Sequence, residues 1–118
     1  MTALDDCVGA AEILAKLGSP PNFADGFVRS TTMLRDERES SIELVIQFQS
    51  GLVERGVFET TIQMSDLKSV ALSDLDIYPV IERLDFAFGE GVVVLTISAI
   101  SGIEGRIAAT TLAFVQTT

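Results

Sequence analysis

Carboxylates dominate the side chains that could do chemistry in this sequence. Asp and Glu number 17 against 8 Lys and Arg, and there is no histidine. Two carboxylates held across a cleft can work as acid and base, and several gathered on one loop can hold a hard cation. The closest pairing is Asp74-x-Asp76, with Asp66 a few residues upstream. A calcium loop needs more oxygens, a positioned glycine and a bidentate glutamate downstream. Here Glu82 comes too late and beyond Pro79, so the segment reads as a solvated acidic connection and no metal is expected. Asp85 sits between Leu84 and Phe86 and shares a strand face with Arg83, an ordinary polar position on the solvent side.

Other catalytic chemistry lacks its side chains. Without histidine there is neither a serine–histidine nucleophile nor the usual acid–base group near neutral pH. Cys7 stands alone, next to Asp5 and Asp6, which raise a thiol pKa where a reactive thiol needs it lowered. It reads as a small buried hydrophobe. No Gly-x-Gly-x-x-Gly run opens a helix, and Gly102 and Gly105 fall between strands, so no phosphate cradle and no cofactor are expected. The sequence therefore reads as non-enzymatic, with an enzyme built on acids alone as a remote alternative.

The elements that must position these residues follow from composition and period. The chain has 118 residues, 47% of them hydrophobic, a net charge of −9 and one cysteine. Its mean hydropathy is +0.41. These figures fit one domain, residues 1–118, with a real core and no disulfide framework. An acidic field argues against nucleic acid as partner. Met1 to Ala10 carries two acids and no base, unlike a secretory signal, and the longest uncharged stretch, Gly91 to Ile103, is too short for a membrane helix. A cytoplasmic location without membrane association is the expectation.

A helix is predicted over 5–17, capped by Asp5 or Asp6, with an apolar stripe of Cys7, Ala10, Ala11, Leu14 and Leu17. Gly18 and the pair Pro20-Pro21 end it. Period two then takes over across 27–115. Strands are expected at Phe27 to Leu34, at Ile42 to Phe48, and from Phe58 with Thr60, Ile62 and Met64 inward. Further strands are expected at Val80 to Phe88, at Val92 to Ile100 and at Arg106 to Val115. On Val80 to Phe88 the residues Glu82, Leu84, Phe86 and Phe88 share one side. Val92 to Ile100, apolar on both faces, reads as central and covered twice. Ser65 to Pro79 reads either as a short strand with a loop or as a short helix. The fold class is α+β, mainly β: an N-terminal helix, then an antiparallel sheet of five to seven strands curled into a barrel or a two-sheet sandwich.

Three functional readings fit these elements. The first is an acidic binding protein whose partner is a basic protein. Its candidate contact residues are Asp36, Glu37 and Glu39 of the charged turn, with Asp66, Asp74 and Asp76. A binding role for that turn calls for an exposed apolar patch beside it. The second is an apolar-ligand barrel or sandwich lined by Phe48, Phe58, Phe86, Phe88 and Phe114, rings that serve equally as core. The third is a structural module that forms a homodimer through the Val92 to Ile100 strand.

The passage Pro20-Pro21-Asn22-Phe23-Ala24-Asp25-Gly26-Phe27 stiffens the chain with two prolines, delivers Phe23 inward and turns at Asp25-Gly26. The Asp25 side chain can bond backbone amides two residues on. Pro-x-Phe-x-Asp after a short helix resembles the Pro-Ser-Phe-His-Asp-Ala step of a family of small bacterial immunity proteins from polymorphic toxin systems. Ile62 to Val70, Val80 to Phe88, and Gly102-Ile103-Glu104-Gly105-Arg106-Ile107 are similar to later segments of that family, in the same order. The resemblance implies a toxin-neutralising protein, with Phe23 and Asp25 as its motif-matched residues. Ala24 stands where the family has His, and the Trp before the motif is absent, so a role resting on that His has no counterpart here.

Overall fold

A computed structural model describes residues 3–18, 21–48, 58–73, 80–102 and 104–115. The first turn is short. Asp5 and Asp6 close a 3-10 turn over Leu4–Asp6, and Cys7 then returns to extended backbone at φ −75°. Val8 bridges in parallel to Ala113, its carbonyl accepting the Phe114 N–H at 2.8 Å. Gly9, at φ 79°, is required there, since a Cβ would lie 1.9 Å from the Phe114 carbonyl oxygen. Helix α1 therefore spans Ala10–Leu17 and not 5–17, and it is Gly9 that occupies the N-cap, not an aspartate. The late start also turns the inward face: Ala10, Ile13 and Leu17 are buried, while Ala11 is exposed and Leu14 half-buried. Gly18 ends the helix at φ 93°, as the sequence suggests.

Six antiparallel strands follow: β1 Phe27–Arg35, β2 Ser40–Phe48, β3 Phe58–Ser73, β4 Val80–Gly89, β5 Val92–Ser101 and β6 Glu104–Val115. They close into a barrel in the order β1-β2-β3-β6-β5-β4. Ile42, Leu44, Ile46 and Phe48 of β2 point inward at full burial, opposite Met64, Ile62, Thr60 and Phe58 of β3. This is the clean period-two pattern of a strand with one buried face. Glu90 (φ 53°) and Gly91 (φ 75°) form the two-residue link between Gly89 and Val92, the positive-φ pair of a type I′ hairpin.

Three strands depart from the sequence expectation. The region from Ser65 does not become a helix or a separate short strand. It continues β3 to Ser73, while residues 74–79 lie outside the described residues. Asp66 adopts φ 57°, and Leu67, three residues on from Met64, packs against the core out of phase with it; the bulge between Leu67 and Ser69 adds one residue, so Val70 and Leu72 return in phase with Met64. The same device explains β4. A bulge between Ile81 and Arg83 leaves Glu82 exposed while Ile81 and Leu84, three apart, are both buried, so Glu82 does not share the inward side. Strand β5 is central, hydrogen-bonded to β4 and β6, but it is not covered twice. Val93, Leu95 and Ile97 are buried, whereas Val92, Val94, Thr96 and Ser98 form a half-buried outer face. A barrel wall has only one interior side.

Closure falls on the passage between α1 and β1. Phe23 C=O accepts the Gly26 N–H at 3.0 Å, a turn whose third residue, Asp25, takes φ 67°. The Asp25 N–H donates to Ile81 C=O, and the Ile81 N–H to Gly26 C=O, both at 2.9 Å. The next pair, Phe27↔Val80, completes the contact of β1 with β4. Phe23 itself is 2% exposed and meets the rings of Phe48, Phe86 and Phe114 at 5.9 to 6.3 Å, so one side chain ties three strands and the entry loop. Phe23→Ala is expected to lower the unfolding free energy by about 3–5 kcal/mol, measured by urea titration. Glu90→Asn, which suits the left-handed turn position better, is expected to raise it by about 0.5–1 kcal/mol in the same assay.

Candidate interaction surface

The acidic residues sort by position in this barrel. Among the described residues the only buried polar side chains are Thr60 and Thr61, so every described carboxylate lies outside the core. No group of three or more His, Cys, Asp or Glu gathers as a cation site among the described residues. Asp85 is held by Arg83 on the outer face, Nε to Oδ2 2.8 Å, both exposed. Cys7 is buried, and burial, then the Asp6 charge, push its thiol upward, away from the thiolate that a nucleophile requires.

The charged turn is ordered by its first residue. Asp36 N–H donates to Glu39 C=O at 2.9 Å, and Asp36 Oδ1 accepts the backbone N–H groups of Arg38 at 2.8 Å and Glu39 at 2.7 Å. Those two bonds favour the ionised carboxylate and hold its pKa below the usual aspartate range. Glu37, Arg38 and Glu39 are left exposed around this staple.

Sheet register brings the second acidic segment to the same end. Ser41, just past the turn, pairs with Ser65, so Asp66 comes beside the β1–β2 hairpin. Its carboxylate is already engaged: Thr110 Oγ1 donates to Oδ2 at 2.8 Å, and Lys68 Nζ stands 3.6 Å away. The Thr110 bond first, and the lysine second, lower its pKa. Next along the outer face, Gln63 donates to Glu43 at 3.3 Å. Of the six sequence candidates, Asp36, Glu37, Glu39 and Asp66 thus share one end of the barrel, and Asp74 and Asp76 lie outside the described residues.

Two residues of this surface carry no charge, and the sequence reading passed over them as part of an apolar strand. Met33 is 47% and Leu34 55% exposed, immediately before the turn. Consecutive strand residues point to opposite faces, so Met33-Leu34 could not both be buried by one interior. That was the available signal. Leu34, Arg35, Asp36, Glu39, Ser41, Gln63 and Ser65 line a shallow groove of about 380 Å³.

The motif pair has a different place. Phe23 plugs the interior and Asp25 shapes the closing turn, both at the passage into β1. The side-chain bond expected of Asp25 is made by Asn22, whose Oδ1 accepts the Ala24 N–H at 2.9 Å, while Asp25 contributes its backbone. The rings offered as a ligand lining touch one another: Phe48 and Phe58 stack at 4.6 Å, and Phe86 meets Phe114 at 6.1 Å. A larger groove, about 660 Å³, is lined by Leu72, Ile97, Ser98, Gly105 and Arg106, where Gly105 (φ 145°) lets β6 approach the Ala71 backbone of β3. None of the described candidate acids lines it.

No family model, no curated protein and no solved structure matches the chain. No helix among the described residues is long and apolar enough to cross a membrane.

The Asp36 staple has a definite pH signature. Its folded pKa is lowered, so its contribution is complete above the unfolded-state value and is lost as pH falls through the folded one. The Asp36 side-chain carbon resonance is expected to titrate below the ordinary aspartate range, and the Arg38 and Glu39 amides to lose exchange protection over the same interval. Titration at the ordinary value would contradict the two backbone bonds to Asp36.

Proposed function

We propose that this chain is a non-enzymatic binding protein of the immunity kind, which neutralises a basic protein toxin by docking it on the β1–β2 hairpin end of the barrel. The observation that carries the reading is the exposure of both Met33 and Leu34, on opposite faces of β1, immediately before the carboxylates of Asp36, Glu37 and Glu39. An apolar centre with a charged rim is how protein interfaces are built, and an exposed apolar pair beside an ordered charged turn is what a plain solvated turn lacks.

Charge supports the choice of partner. The net −9 draws a basic protein into encounter faster than diffusion alone, and the carboxylate rim orients it. The side chains support binding over catalysis: histidine is absent, Cys7 is buried with its thiol pushed up, and Asp36 and Asp66 are spent on local hydrogen bonds. The motif resemblance around Phe23 supports the immunity class, and a single cysteine suits a reducing, cytoplasmic setting.

The test pairs the purified chain with the product of the gene adjacent to its own, titrated calorimetrically at low and at high salt. Binding is expected, weakening as salt rises. Leu34→Ser is expected to weaken it by about tenfold or more, as loss of a central apolar contact does. Glu37→Lys with Glu39→Lys should chiefly slow association. Affinity unchanged by all three substitutions would remove the hairpin end as the docking surface.

A further inference from the structure

Strand β1 is bonded to β2 from Phe27 to Arg35, but on its other side it meets β4 only at Phe27↔Val80. Beyond the bulge between Val28 and Ser30, no strand among the described residues lies against that edge. Burial shows the same thing independently. Met33 pairs with Ile42 and points with it to the interior side, yet Met33 is 47% exposed and Ile42 1%. An inward residue keeps half its surface in water when it is covered from one side only. The other strands that flank the closure are treated differently: along β4, Leu84, Phe86 and Phe88 share a groove with Ala3, Leu4 and Pro21 of the entry segments.

Exposed edges of this length are normally blunted by charge, proline or a bulge. Here the bulge and Arg29 guard one end and Arg35 the other, and the run Ser30-Thr31-Thr32-Met33-Leu34 between them has no charge and no proline. Its length is that of an ordinary strand.

We propose that this edge accepts a strand from the basic partner, added antiparallel to β1 so that it covers Met33 and continues the barrel wall. This rests on the docking reading above and specifies its geometry. A second copy of the chain suits the edge poorly. Each copy carries −9, so two copies repel. A basic foreign strand does not meet that obstacle. The Arg29 charge is taken up by Glu59 at 2.8 Å, and at the far end Asp36, Glu37 and Glu39 outnumber Arg35 and Arg38. The incoming segment is therefore uncharged and β-branched along Ser30 to Leu34. Its basic residues sit just N-terminal to that run, where an antiparallel strand passes the turn.

The probe is a short peptide of alternating valine and threonine preceded by two lysines, with a control carrying the lysines at its C-terminus. Added to the full chain at low salt, the first peptide is expected to slow hydrogen exchange at every second amide from Ser30 to Arg35, and to bind about tenfold tighter than the control. Met33→Lys, which points a charge inward at the edge, should abolish that protection. Thr32→Lys adds the same charge on the outer face and should retain it.

Equal loss in both variants, or binding without protection in β1, would overturn strand addition while leaving the docking surface in place. Protection, without peptide, of the alternate Ser30 to Arg35 amides that do not donate to β2 would also overturn it, whether independent of protein concentration or rising with it. Failure of the peptide to bind at all would overturn it too. Binding of the neighbour-encoded toxin then decides separately whether the docking reading survives.

Discussion

The barrel depends on a few atoms of backbone pairing, the reciprocal bonds of Asp25 and Gly26 with Ile81. Every other contact between neighbouring strands is a long ladder, whereas β1 and β4 share one further pair, Phe27↔Val80. Such a short seam cannot hold by hydrogen bonding alone, since each bond contributes only about 1 kcal/mol net. What fixes it is Phe23 directly inside the turn, buried against rings from β2, β4 and β6. Gly26 has to be bare for this. A Cβ there would stand 2.9 Å from the Ile46 side chain and 3.0 Å from the Phe23 carbonyl oxygen. Proline, aspartate in a left-handed turn and a glycine without clearance thus act together. The seam is where sequence, turn geometry and core packing coincide.

A seam at one end has a consequence at the other. Because β1 is held to β4 only at its first residue, the rest of the strand depends, among the described residues, on β2 alone, and its burial decays along the chain. Val28 is buried, Thr31 half-buried, and Thr32 to Arg35 are exposed. The β1–β2 hairpin then relies on its own turn for order. The Asp36 staple supplies that, so the same carboxylate that adds to the acidic rim also keeps the apolar pair beside it in a fixed geometry. A preordered rim loses less conformational entropy on binding than a mobile one.

Period and punctuation were enough to read most of the sheet from sequence. Ile42 to Phe48 alternates without error because nothing interrupts the ladder, and the Gly89-Glu90-Gly91 turn is visible in its glycines. The misreadings of β3 and β4 share one cause. Asp66, the Lys68 bulge and the bulge at Ile81 each shift the phase of a strand by a residue, and no residue type in those places announces it. The helix start failed for a tertiary reason, since Val8 and Gly9 are taken by the Phe114 backbone on β6. The acidic turn was legible as charge, but its meeting with Asp66 is a product of the Ser41↔Ser65 register. Exposure of Met33 and Leu34 depends on which strand lies beyond β1, a fact of topology that period two does not contain.

The residues that resemble the immunity family fall almost entirely on the scaffold. Pro21 to Phe27 builds the seam, Ile62 to Val70 spans the phase change of β3, Val80 to Phe88 is β4, and the Gly102 to Ile107 passage leads into β6. None of these segments includes Met33 to Glu39. Under the proposed docking, closure and recognition fall on separate residues, and substitutions at the hairpin leave the core intact. The geometry provides that separation: Phe23 sits at the seam within the core, while the hairpin turn lies beyond the exposed half of β1. Ala24 stands where the resembling family has His. Position 24 serves the turn through its backbone N–H bond to Asn22, which any residue but proline can make.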